Sequence, residues 1–88
     1  MEMVYRLIVD DQPGVLDRIV GLVRRHARNI TFLMVFGMEE AGRSLLTFKL
    51  VDGMVDASLS ERILEIDSVH SLETVPDDIT QRVMALGR

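Results

Sequence analysis

Hydrophobic and polar positions alternate from the first residues. In Met3-Val4-Tyr5-Arg6-Leu7-Ile8-Val9, one face takes Tyr5, Leu7 and Val9 and the other takes Val4, Arg6 and Ile8, which predicts a strand. The cluster Asp10-Asp11-Gln12-Pro13-Gly14 predicts a turn. The period then lengthens: Val15, Leu16, Ile19, Val20, Leu22 and Val23 recur at helical spacing, with Asp17, Arg18, Arg24 and Arg25 opposite. Arg24, Arg25, His26 and Arg28 gather at the end of this helix, where its dipole favours cations.

Ile30 to Met38 predicts a second strand, apolar on both faces. Ile30, Phe32, Met34 and Phe36 alternate there with Thr31, Leu33 and Val35. Glu39 to Arg43 forms a hairpin connection, and Ser44 to Val51 a third strand with Leu46, Phe48 and Leu50 on one side. After the Asp52-Gly53 turn, Val55, Leu59, Ile63 and Ile66 stripe a second helix over about 55–66. Ser68 to Val75 is a fourth strand, stopped by Pro76. In the last residues, Asp77 and Asp78 suit a helix start and Ile79, Val83 and Leu86 form a stripe.

The order is βαββαβ with a short C-terminal helix. It is an α+β chain of ferredoxin-like plan: a four-stranded antiparallel sheet with two helices on one face. Residues 1–76 make the domain and 77–88 a helical tail. The second strand wants burial on both sides, and the tail stripe exceeds what such a domain needs. Self-association is expected, with coverage of the open sheet face by the tail as the alternative.

Composition narrows the function. The chain has 88 residues, no cysteine and a net charge of −4. No disulfide framework, thiolate metal site or cysteine nucleophile is available, and a cytoplasmic setting is the default. The acidic balance argues against nucleic acid. So does the placement of Tyr5 beside Leu7 and Val9, which is a core position and not an RNA-stacking one. The longest apolar run, Phe32 to Phe36, is too short for a membrane span. No catalytic constellation emerges. His26 reads as a helix-end cation and His70 as a strand residue near an edge. Asp10-Asp11 lacks the further carboxylates a metal site needs, so no metal is expected.

The segment that carries chemistry is the first turn and helix. A glycine where a helix opens leaves backbone N–H groups free for a carboxylate and lets a ligand approach. Asp11 is placed to receive an ammonium group, and the Asn29 amide both donates and accepts. An α-amino acid presents that pair of charges. The alternative is structural, with Gly14 a tight turn and Asn29 a helix cap.

Asp11-Gln12-Pro13-Gly14-Val15-Leu16, followed after one helix by Asn29-Ile30, resembles the signature of the ACT domain. The run Gly21-Leu22-Val23-Arg24-Arg25 before Asn29-Ile30 is similar to the small regulatory subunit of acetohydroxyacid (acetolactate) synthase, in its short form. The resemblance implies a homodimer with joined sheets and amino-acid effector sites at the seam, valine being the chief effector. It implies effector contacts from Asp11, Gln12, Pro13, Gly14, Val15 and Leu16, and from Asn29 and Ile30 of the second chain. It implies a catalytic large subunit as partner, which would carry thiamine diphosphate, magnesium and FAD, with no cofactor in this chain. Two positions depart from the subfamily: Asp11 replaces a common asparagine and Arg28 an aromatic, so the effector stays open. A free-standing ACT sensor of another amino acid and a ligand-free dimerisation module are the other readings.

Overall fold

The computed structural model describes residues 2–38 and 42–78. Along the chain these form β1 (Met3–Asp10), α1 (Val15–Arg25), β2 (Ile30–Gly37), β3 (Arg43–Leu50), α2 (Ala57–Leu64) and β4 (Val69–Pro76). The expected tail helix falls outside the described residues from position 79 onward. The four strands make one antiparallel sheet in the order β2-β3-β1-β4. The ferredoxin-like βαββαβ plan is therefore the fold.

Register follows the alternation. Tyr5 sits opposite Phe48 and Leu7 opposite Leu46, so the apolar sets of the central strands share one face. Both helices cover that face: Val15, Ile19 and Val23 of α1 and Leu59 and Ile63 of α2 are buried against it. Burying each such side chain contributes about 1.5–3 kcal/mol, so these residues alone fix the two layers. Tyr5 and Phe48 stack with ring centroids 4.7 Å apart. The buried Tyr5 hydroxyl is satisfied by the backbone of Asp56, accepting its N–H at 2.7 Å and donating to its carbonyl at 3.2 Å. That pair ties the centre of the sheet to the start of α2.

Two boundaries differ from the periodicity. α2 starts at Ala57 and not at Val55, because the Asp56 carboxylate accepts the Leu59 N–H at 3.1 Å and caps the helix there. Val55 is left outside and exposed. At the other end, Glu65 and Ile66 donate to the carbonyls three residues back, so the last turn tightens and Ile66 packs on the core from beyond the helix. In β2, Ile30 pairs with Leu50 but Phe32 with Lys49, which makes Thr31 the extra residue of a bulge. Ile30 thereby leaves the face of Phe32, Met34 and Phe36 and joins the core beneath the helices.

Candidate functional site

Gly14 is the N-cap of α1, with φ 87° and ψ −13°. Any L-residue is strained in this left-handed geometry, and a Cβ built here would meet nothing within 4 Å. The position therefore combines a backbone only glycine adopts freely with open space in front of it. No side chain caps the helix. The Val15 N–H turns back to the Gln12 carbonyl at 3.3 Å and the Arg18 N–H closes on Gly14 at 3.0 Å, so the Leu16 and Asp17 amides face outward with no capping side chain. A carboxylate placed there gains from both the amides and the dipole.

Gln12, Pro13, Gly14 and Val15 line one cavity of about 190 Å³, together with Arg18 and Ser68. Asp11 flanks it, its N–H fixed to the Gly42 carbonyl at 2.7 Å. Leu16 is 39% exposed on the first turn. Arg18 and Ser68 were not found by sequence reasoning. Arg18 was legible as the residue one turn along from Gly14, whereas Ser68 arrives only through tertiary pairing, its carbonyl accepting the Asp10 N–H at 2.8 Å.

Asn29 and Ile30 are not at this place. They lie at the far end of α1, which at about 1.5 Å per residue is some 16 Å from Gly14 along an eleven-residue helix. Asn29 is exposed, its carbonyl accepting the Val51 N–H at 2.9 Å, and it lines a separate cavity of about 200 Å³ with Ala27, Arg28, Val51 and Asp52. It is not the helix cap. His26 takes that place, and Ala27 adopts φ 56° while Ala27 and Arg28 donate back to Arg24 and Val23 in a Schellman closure. A single chain thus holds two separated halves of the expected site. Each cavity is smaller than the ~300 Å³ at which small-molecule sites usually begin.

The remaining candidates for chemistry are engaged in structure. Asp10 Oδ1 lies 2.6 Å from His70 Nε2, and among the described residues no group of three His, Cys, Asp or Glu could hold a metal. No helix among them is long and apolar enough to cross a membrane.

Comparison with known proteins settles the family. A model of the AHAS small subunit-like ACT domain matches residues 6–71, three-quarters of the chain. The chain belongs to that family. No curated protein sequence matches it. Among solved structures, the acetolactate synthase small subunit from Thermotoga maritima superposes with a TM-score of 0.69 at 21% identity, covering 91% of this chain and 50% of that one. The ACT-domain chain therefore spans half the length of that subunit. The ACT domain from GTP pyrophosphokinase of Chlorobium tepidum gives a TM-score of 0.65 at 15% identity, covering 88% of each chain. The regulatory subunit of aspartate kinase from Thermus thermophilus gives 0.59 at 16% identity, covering 86% of this chain and 51% of that one. A regulatory role fits this membership.

Proposed function

We propose that two copies of this ACT domain pair through β2 and bind an amino acid, chiefly valine, at each of two equivalent sites on the seam. The observation that carries the reading is the arrangement around β2. This edge strand contains no charged residue and is exposed on both faces, with Leu33, Val35 and Phe36 between 41% and 52% exposed. Its Gly37 end lies beside the Gly14 turn, because Gly37 pairs with Ser44, Ser44 with Val9, and Asp11 bonds to Gly42. Its start lies at Asn29. Antiparallel pairing of β2 with its copy brings Asn29 and Ile30 of one chain to the Gly14 turn of the other. The two half-sites of one chain become two whole sites of a dimer.

In that site the outward amides of Leu16 and Asp17, opened by Gly14, hold the effector carboxylate, and Asp11 receives the ammonium group. Asn29 of the second chain bridges both through its amide. Gln12, Pro13, Val15 and Ile30 enclose the rest. The chain acts on a catalytic large subunit of acetohydroxyacid synthase, in the cytoplasm, and thiamine diphosphate, magnesium and FAD belong to that partner. Occupation of the seam shifts the dimer between states that activate the partner differently, by no more than the effector's difference in affinity for them.

Calorimetry with valine, isoleucine, leucine, serine and phenylalanine tests the ligand. Co-purification with a thiamine-dependent synthase made valine-sensitive tests the partner. Heat with valine that vanishes in Gly14→Asp supports the reading. Asp11 favours a second one, a free-standing sensor of another amino acid, since an acidic side chain stands where the subfamily commonly has an amide; heat with serine or phenylalanine alone supports that instead. No heat with any of the five leaves a ligand-free dimerisation module.

A further inference from the structure

A cavity of about 390 Å³, about twice the volume of either half-site, opens between α1 and α2. Its floor is apolar. Leu22 of α1 and Ile66 just beyond α2 are half-buried there and packed on the core. Arg18 and Arg25 stand on either side of Leu22 along α1, at spacings of four and three, so the three form one stripe of the helix. Both arginines are exposed. Arg62, in the last turn of α2, and the acidic Glu65 and Asp67 complete the rim.

The charges of this groove do not cancel. Glu65 is taken by Arg62 at 3.7 Å, an exposed pair within one turn. Among the described residues, the side chains of Arg18 and Arg25 have no ion-pair or hydrogen-bond partner. Three arginines against two carboxylates leave the groove at +1 in a chain of net −4. Gly21 adds to the picture. Glycine is unfavourable inside a helix, yet α1 carries one there. A Cβ at Gly21 would lie 3.3 Å from Arg25 Nη1, so the glycine leaves room for the Arg25 side chain to lie back along the helix. α2 packs towards β4, at the sheet edge opposite β2, so pairing through β2 leaves the groove open.

We propose that this groove docks an acidic amphipathic helix of another protein, laid between α1 and α2 as a third helix. Arg18 and Arg25 are seven residues apart, about 10 Å along the helix axis. Two carboxylates seven residues apart on a facing helix match that separation. An apolar residue midway between them meets Leu22 and Ile66, the helix side chains interlocking as ridges into a groove. Each guanidinium receives a carboxylate through two parallel N–H···O bonds, the geometry in which arginine exceeds lysine. The net negative charge of the rest of the chain repels an acidic segment, so the groove is where one is accepted. Neither the effector nor β2 pairing takes part.

Arg18 also borders the Gly14 cavity, so Arg25, which does not, is the residue to change. The probe is an alanine-rich helical peptide with two glutamates seven residues apart and a leucine between them. It is titrated into the isotope-labelled full chain and followed by amide shifts. The expected shifts cluster at Arg18, Leu22, Arg25, Arg62 and Ile66. Binding should weaken about tenfold or more in Arg25→Glu, and likewise when glutamine replaces both glutamates of the peptide. Arg25→Gln, which puts no acid at the C-terminal end of α1, should also weaken it and keeps the test sound if the glutamate variant frays the helix. Helix amides that stay unshifted at millimolar peptide, shifts centred on β2, or equal binding of the glutamine peptide would overturn the proposal. Sedimentation velocity covers the remaining occupant: if Arg25→Gln weakens self-association, a second copy fills the groove, which overturns it too.

Discussion

The two edges of the sheet are built to opposite purposes. β4 carries His70 as the extra residue of a bulge against β1, Glu73 paired with Arg6, and Pro76 at its end. Each discourages another strand from adding there. β2 carries Ile-Thr-Phe-Leu-Met-Val-Phe-Gly, with no charge and no proline, and its one bulge sits at its start. An edge left this apolar on both faces is an aggregation hazard unless a specific strand pairs with it. Asn29 leads into the start of that unguarded edge, and the Gly14 turn lies at the end of the sheet where β2 finishes, between Gly42 ahead of β3 and Ser68 ahead of β4. Under the proposed pairing, the edge that is free to pair is the edge that completes the site.

The strongest way to break the contrast is to guard β2 as β4 is guarded. Val35 is 46% exposed, so Val35→Lys disturbs the monomer little but sets an ammonium group from each chain into the proposed apolar seam. Self-association should weaken more than a hundredfold, about 3 kcal/mol, as expected for unpaired charges placed in an apolar interface. Sedimentation velocity across a dilution series checks this, with Glu73→Lys on the opposite edge as the control that leaves association unchanged. Effector binding should fall with association. A variant that becomes monomeric yet binds valine as before separates site from seam.

The next largest effect sharpens the comparison at the ligand. Gly14→Asp puts a carboxylate where the proposed effector's own would be held, and Gly14→Ala imposes the same left-handed backbone without the charge. Alanine should cost about 1 kcal/mol of stability and retain binding. Aspartate should cost about as much stability and weaken binding by two or more orders of magnitude, near 3 kcal/mol. Thermal unfolding and calorimetry on both variants separate strain from charge.

Much of this was legible in the chain, and the gaps have physical causes. All four strands and both helices of the described residues follow from periods of two and of 3.6, because each buries one face or stripe and no other residue spacing achieves that. Periodicity starts α2 at Val55, an apolar residue in phase with the stripe, whereas the Asp56 cap starts it at Ala57. Alternation puts Ile30 on the face of Phe32, and the bulge that moves it to the other leaves no mark in an apolar run. Of the site, the Gly14 turn was readable from local chemistry. The place of Asn29 directly after α1 was readable as well, whereas only the sheet order shows that the strand it leads into, β2, is an edge. Ser68 entered through pairing alone.

Lys49 extends the comparison to the β4 side. Its ammonium is held above the ordinary lysine range, chiefly by hydrogen bonding to Asp77, then to Glu2, with burial opposing. A raised lysine value means that the stabilisation is complete below the unfolded lysine range and is lost as pH rises through the folded value. The wild type should therefore lose stability at strongly alkaline pH, at a point above that of an exposed lysine. Lys49→Met should lower stability by about 2 kcal/mol near neutrality, since it leaves the Asp77 carboxylate buried without its charged donor. The difference between the two should shrink at the alkaline end. Urea unfolding at a series of pH values measures both, and self-association through β2 should be unaffected.

The smallest effect lies where α1 hands the chain to β2. Ala27 adopts φ 56°, at the position of a Schellman closure that favours glycine, and it is exposed. Ala27→Gly relieves the left-handed strain on Cβ but gives the unfolded chain more freedom, and the two terms oppose each other. Strain of ~1–2 kcal/mol against an entropy term of ~0.4–1 kcal/mol leaves a net gain of about 0.5 kcal/mol. The unfolding midpoint should rise by a few degrees. This gain should come without any change in association, because Ala27 lies before the edge strand and not in it. If association weakened as well, the loop that presents Asn29 would be part of the seam's stiffness, and the unguarded edge would have to be redrawn to begin at the end of α1.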